Sequence, residues 1–146
     1  MREQTLKDFF LDKVTIDTLS SELKDSQKKT GFDTTTVYVS QIKEVGEFKI
    51  SIDHLILLCD AAIEGKLTMT DLNTIAFVLI TSEHFTWDLE SNIGNRIDTV
   101  IYDWDNTEIG FDLTIENVKL WKDYLLTGDY KFNFKTLSIL KQVLFN

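Results

Sequence analysis

Apolar residues recur at helical spacing along most of the chain, and the breaks between stripes carry capping residues. Leu6, Phe9 and Phe10 open a short amphipathic helix that ends near Lys13. Thr15 reads as the N-cap of a second helix, with Ile16, Leu19 and Leu23 on one face. Its polar end, Lys24 to Lys29, runs to Gly31 as C-cap, and Lys28 and Lys29 suit the negative end of the helix dipole. Residues 33–50 change character. Thr34, Thr35, Thr36, Val37 and Val39 are β-branched, and Val37 alternates with Val39, so this segment reads either as a small hairpin through Gly46 or as a long connection.

Regular periodicity returns at Ser51, an N-cap for a helix with Ile52, Leu55, Ile56, Cys59 and Ile63 on its apolar face and Gly65 closing it. Thr68-Met69-Thr70-Asp71 has the spacing of a capping box, with Asp in place of Glu or Gln. The helix it opens runs through Leu72, Ile75, Ala76 and Leu79, with Val78 and Ile80 widening the buried face. Ile93, Ile97, Val100, Ile101 and Trp104 form the cleanest stripe, opposite Asn95, Asp98, Thr99 and Tyr102. Thr114 caps a further helix that turns Ile115, Val118, Trp121 and Leu125 inward and stops at Gly128; Leu137, Leu140, Val143 and Leu144 mark a last one. The pattern predicts a mainly all-α fold: one compact bundle of about six helices spanning residues 1–146, with room for a minor β element near residues 34–50.

Composition agrees. A length of 146 residues is that of one domain, and 43% apolar and 12% aromatic content suits a folded globule. Proline is absent, which removes helix breakers. Cys59 is the only cysteine, so neither an internal disulfide nor a cysteine metal cluster is expected, and its place in an apolar run marks it as a small buried hydrophobe. No run approaches the ~18 apolar residues of a membrane span, and no basic, apolar leader is evident at the N-terminus. The chain is therefore expected to be cytoplasmic, without membrane contact.

Charge changes the picture most. Residues 51–117 carry thirteen acids against Lys66 and Arg96, a local net charge of −11, while residues 1–50 sum to −1 and residues 118–146 to +3. The chain's net −9 is thus one acidic block laid over the best helical pattern. A folded surface of one sign repels its like and attracts its opposite. Direct binding to nucleic acid is disfavoured, because phosphates would be repelled. Asp103 and Asp105 fall at the C-terminal end of a helix, where the dipole disfavours negative charge by about 0.3–1 kcal/mol each on an exposed surface. Such placement points to a partner.

Chemistry is harder to find. Val100-Ile101-Tyr102-Asp103-Trp104-Asp105-Asn106-Thr107 resembles the first motif of haloacid-dehalogenase-like phosphatases, an apolar strand followed by D-x-D-x-T. There the motif follows a strand and opens a doubly wound domain, whereas here the period is helical and only 41 residues follow Asp105. The same acids fail as a calcium loop, since Glu108 stands where Gly is needed and Thr114 where the bidentate Glu belongs. His54 and His84 lack metal-ligand spacing and read as structural or surface residues. No phosphate-binding glycine loop or nucleophile motif is present. No enzymatic activity, metal or cofactor is expected. Trp104 and Trp121 fall on apolar stripes. Trp87, among acids after a helix, reads as an interface anchor or as a loop aromatic folded onto the core.

Two stretches carry a resemblance. Leu6-Lys7-Asp8-Phe9-Phe10-Leu11-Asp12-Lys13-Val14-Thr15-Ile16-Asp17-Thr18-Leu19 resembles the opening of colicin D-type immunity proteins: an apolar helix, a short break, then an amphipathic helix beginning at a Thr. Leu58-Cys59-Asp60-Ala61-Ala62-Ile63-Glu64-Gly65-Lys66-Leu67, followed by Leu72 to Trp87, is similar to the wider group of bacterial self-protective immunity proteins, which includes those of contact-dependent growth inhibition systems. The resemblance implies a small, cytosolic, helical protein that binds a cognate toxin nuclease, often one that cuts tRNA, and blocks its active site. The implied partner is a basic toxin domain, bound one to one by a chain that is a monomer when free.

Charge and placement select the toxin-binding residues. Asp103, Asp105 and Glu108 come first, joined by Asp98 and Asp112 on or just after the same helix. Glu83, Asp88 and Glu90 border the preceding loop, and Trp87 and Tyr102 are the aromatic anchors. The competing expectation is an acidic interaction module or antitoxin-like regulator without a nuclease partner, its carboxylates serving solubility as much as binding.

Overall fold

Four hydroxyl side chains fix where the central helices begin. Ser51, Thr68, Ser91 and Thr114 each accept a hydrogen bond from the backbone N–H three residues on, at His54, Asp71, Gly94 and Asn117. Thr68 completes a capping box, its own N–H donating to Asp71 Oδ2 at 2.9 Å. Ser51 completes another with an unusual member, its N–H donating to His54 Nδ1 at 3.0 Å.

The computed structural model describes residues 1–29 and 35–132. Among them are six helices: α1 (Glu3–Phe10), α2 (Ile16–Ser26), α3 (Ile52–Ile63), α4 (Met69–Thr81), α5 (Asn92–Asp105) and α6 (Ile115–Thr127). Four short strands accompany them: β1 (Gln27–Lys29), β2 (Thr35–Val37), β3 (Phe48–Lys49) and β4 (Phe85–Thr86). α3 lies against α6, α4 against α5, and α5 against α6. Their facing stripes meet in one core that holds Leu55 and Leu58 of α3, Leu72 and Ile75 of α4, Val100 and Trp104 of α5, and Val118 and Trp121 of α6. Fully burying one such aliphatic side chain is worth about 1.5–3 kcal/mol, so these stripes outweigh any single cap. α1 and α2 close the core with Leu6, Leu19 and Leu23. Cys59 is fully buried there, and burial pushes its thiol up to about 12, which makes it inert as a nucleophile. Among the described residues no helix is long and apolar enough to cross a membrane.

The structure is the mainly helical bundle with a minor β component that the periodicity predicts, and it differs in detail. α1 starts earlier and stops at Phe10, because the chain turns sharply at Asp12 (φ 61°). α2 stops at Ser26 rather than running to Gly31: Gln27–Lys29 leave the helix and pair antiparallel with Thr35–Val37. Lys28 and Lys29 therefore do not cap a helix. No hairpin forms through Gly46; Phe48–Lys49 instead pair in parallel with Phe85–Thr86. Ile93 and Ile115, expected inside, are 47% and 42% exposed, since both sit in first helical turns that reach past the core. The helix expected over Leu137–Leu144 lies outside the described residues.

One glycine is fixed by close approach. A Cβ on Gly94 would fall 1.5 Å from the backbone oxygen of Asp88 and 2.4 Å from its carbonyl carbon. The first turn of α5 is pressed against the 88–91 turn, and backbone cannot step aside as a flexible side chain can. Gly94→Ala is expected to cost about 1–3 kcal/mol through overpacking, although alanine is the better helix former by about 1 kcal/mol. Urea unfolding of the two proteins measures the difference.

Candidate functional site

The N-terminal half of α4 and the connection from α5 to α6 enclose an open cleft of about 890 Å³. Thr68 starts α4 so that Thr70, Asn73 and Phe77, spaced along one face, look into it. Asn73 Nδ2 donates to the carbonyl of Trp104 at 2.9 Å, tying α4 to the last turn of α5 and holding the cleft walls together. Met69, Phe77 and Leu113 provide apolar lining, and Phe77 remains 43% exposed. Asp105, Glu108 and Asp112 complete the lining with three carboxylates. Burial at the end of α5 lifts the Asp105 carboxyl above its ordinary value, while Glu108 and Asp112 face solvent.

Among the described residues no basic side chain forms an ion pair with these acids. Four ion pairs form among the described residues, Arg2–Glu22, Lys66–Glu64, Lys122–Asp60 and Lys131–Asp123, and none includes an acid expected to bind a partner. The two cations of the acidic block are engaged elsewhere. Lys66 pairs with Glu64, and the Arg96 guanidinium donates to the carbonyl of Leu125 at 3.4 Å, near the C-terminus of α6. The cleft thus sets three carboxylates beside the apolar side chains of Met69, Phe77 and Leu113.

The residues selected from sequence divide into three groups. Asp105, Glu108 and Asp112 share the cleft. Glu83, Asp88 and Glu90 lie exposed on the chain between α4 and α5, where Asp88 Oδ1 accepts from the Glu90 N–H at 2.9 Å. Asp88 also lines a separate hollow of about 270 Å³ with Lys49, Ile50 and Ile97, so this group is not part of the cleft. The remaining acids turn inward. Asp98 Oδ1 accepts from the Trp87 indole at 3.0 Å, and Trp87 is half-buried against the core. Trp87 thus follows β4 as an aromatic folded back, and Asp98 is its anchor. Tyr102 is 47% exposed on α5.

Asp103 departs furthest from the surface role expected of it. Its Oδ2 accepts from the Trp121 indole at 2.9 Å and from the Tyr130 hydroxyl at 2.5 Å. Burial raises its carboxyl above the ordinary value, and the two hydrogen bonds act against that shift. The same burial, with Asp103 beside it, raises the Tyr130 hydroxyl well above its ordinary range. Asp103 ties α5 to α6 and to the segment after it. Both Asp103 and Asp105 belong to α5, so the D-x-D-x-T order is carried by a helix end and not by a strand. Among the described residues no group of three or more His, Cys, Asp or Glu side chains is arranged to hold a metal ion.

Sequence reasoning missed the α4 wall. The available signal was Phe77, a large apolar residue lying outside the Leu72–Ile75–Leu79 stripe and in register with polar Thr70 and Asn73. Compared with protein-family models, curated proteins and solved structures, the chain matches none.

Proposed function

We propose that the protein is an immunity-type inhibitor that binds a cognate basic nuclease toxin through the α4/α5–α6 cleft and covers its active site or RNA-binding surface. One observation carries the reading: Asp105, Glu108 and Asp112 line an open cleft together with Met69, Phe77 and Leu113 and have no ion-pair partner among the described residues. A nuclease holds phosphates with Lys and Arg, and carboxylates presented at matching positions compete for the same cations. Met69, Phe77 and Leu113 give a bound side chain somewhere to bury its stem, as Lys and Arg stems do. Opposed charge raises the encounter rate, up to about 10⁸–10⁹ M⁻¹s⁻¹ at low salt, and a charge mismatch rejects wrong partners. Inhibition by covering a surface needs no catalysis and no cofactor. A cytoplasmic encounter, one inhibitor to one toxin, belongs to the same reading.

The test is growth. The polypeptide encoded immediately upstream is expressed alone and together with this chain. Toxicity alone and rescue on co-expression are expected; toxicity without rescue, or no toxicity, overturns the nuclease partner. The latter outcome favours the second reading, an acidic interaction module that uses the same cleft for a basic protein of another kind.

A further inference from the structure

Both histidines of the chain meet one aromatic cluster, far in sequence from the acidic cleft's α5–α6 wall. The His54 ring stacks on Phe10 at 4.8 Å and on Phe48 at 5.2 Å. Phe85 meets those two phenylalanines edge-on at 6.3 and 5.9 Å, and His84 meets Phe85 edge-on at 5.8 Å. α1, β3, β4 and the start of α3 are thereby joined in one corner.

In each histidine one ring nitrogen is held as an acceptor by a group that can only donate. The Ser51 backbone N–H points at His54 Nδ1 at 3.0 Å. The Lys7 ammonium lies 3.1 Å from His84 Nε2 and has only protons to give. His54 must then carry its proton on Nε2 and His84 on Nδ1, so the two rings are opposite tautomers. His84 is buried, and its Nδ1 has no hydrogen-bond partner among the described residues. Lys7 also lies 5.7 Å from the centroid of the Phe48 ring, so one cation bears on both halves of the cluster.

A proton on either accepting nitrogen breaks the bond it makes. At His54 it removes half of the α3 capping box. At His84 it sets a second cation beside the Lys7 ammonium in a buried site. The charged sequence neighbours of the cluster are Asp53 before His54, Glu47 and Lys49 flanking Phe48, and Glu83 before His84, with Glu3 on α1. Glu3 is itself committed, its Oε1 accepting from the Ser82 hydroxyl at 3.2 Å and the Ile42 N–H at 3.3 Å. Burial lowers the His54 pKa below 6.5, with Asp53 acting in the opposite direction.

We propose that this corner is an acid-released latch: protonation of His54 or His84 frees α1 and β3 from the start of α3 while the α4–α5–α6 half stays folded. Two measurements on the full chain decide it. Ring-nitrogen NMR at about pH 8 is expected to find His54 as the Nε2–H tautomer and His84 as the Nδ1–H tautomer; the reverse assignment for either ring overturns the latch. Hydrogen exchange, corrected for its intrinsic pH dependence, is compared at about pH 7.5 and about pH 5.5. Protection in residues 1–11 and 47–56 is expected to fall severalfold, with about tenfold the ceiling for one histidine over this interval, and none is lost in residues 97–104 and 118–125. In the double variant His54→Gln, His84→Gln, amide oxygens accept the same bonds without titrating, and the local loss should vanish. A uniform loss across the chain, or the same loss in a folded double variant, overturns the proposal; if the variant does not fold, the wild-type tautomers and exchange map decide alone.

Discussion

Trp121→Ala is expected to remove about 3–5 kcal/mol of stability, a large part of the 5–15 kcal/mol of an ordinary domain. Trp121 is fully buried, meets Trp104 edge-on at 6.4 Å and stacks on Phe132 at 4.7 Å. Its truncation opens a cavity at the junction of α3, α5 and α6 and also deprives Asp103 of one of two donors. Trp121→Phe separates the two losses. It keeps most of the volume and deletes the indole donor, so its expected cost is the smaller one of a hydrogen bond to a charged group, about 1.5–3 kcal/mol. Asp103→Lys should approach the cost of Trp121→Ala, because an ammonium would face two hydrogen-bond donors in a half-buried site. Urea unfolding followed by far-ultraviolet circular dichroism reads all three without depending on tryptophan emission. A Trp121→Ala protein within about 1 kcal/mol of the parent would mean that the aromatic junction is not part of the core.

The pH dependence of stability separates the buried groups by sign. His54's folded pKa lies below its ordinary 6.5, so its contribution is complete above that value and drains away as pH falls through it. Asp103 and Asp105 work the other way. Their folded pKa values lie above 3.8, so ionisation costs stability as pH rises from that value, and the cost is relieved on acidification. The signs are opposite: on acidification His54 removes stability from 6.5 downward, and the two α5 carboxylates return it on the way down to 3.8.

Which features were legible follows from the range of the interactions that fix them. Caps and stripes are local, so Ser51, Thr68, Thr114 and Gly128 could be read directly, and Gly128 takes the left-handed φ of 80° that a helix C-terminus asks of it. The end of α2 was not legible, because a run such as Lys24–Lys29 suits an exposed strand as well as a helix, and its pairing with Thr35–Val37 decides. β3 and β4 are two residues each and lie 37 positions apart, too short for a period to register. The surroundings of Asp103 are set in the same long-range way. Its place on α5 suggested exposure, but its donors come from Trp121 and Tyr130, 18 and 27 positions away. Glu108 and Asp112 needed no distant partner to be placed at the surface; what sequence could not supply was that α4 stands opposite them.

Reversing Asp105, Glu108 and Asp112 together to lysine is expected to slow association with the basic partner by about ten- to a hundredfold at low salt, with little change in stability. The three replacements move the cleft from −3 to +3 without touching the Trp121–Asp103 bond that holds α5 to α6. Glu108 and Asp112 are exposed, and Asp112 contributes to structure through its backbone oxygen, which accepts from Asn117 Nδ2 at 2.8 Å in either variant. A lysine at position 105 even suits the negative end of the α5 dipole better than aspartate. Stopped-flow association at rising ionic strength is the measurement. The gap between parent and variant should narrow as salt shortens the reach of the field from about 10 Å at 0.1 M to about 3 Å at 1 M. Reversal of Glu83, Asp88 and Glu90 is the matched control, since it makes the same change in net charge outside the cleft. Equal slowing by both triples would mean that total charge steers the encounter and the cleft has no special part. Slowing by the control alone would move the interface to the chain between α4 and α5.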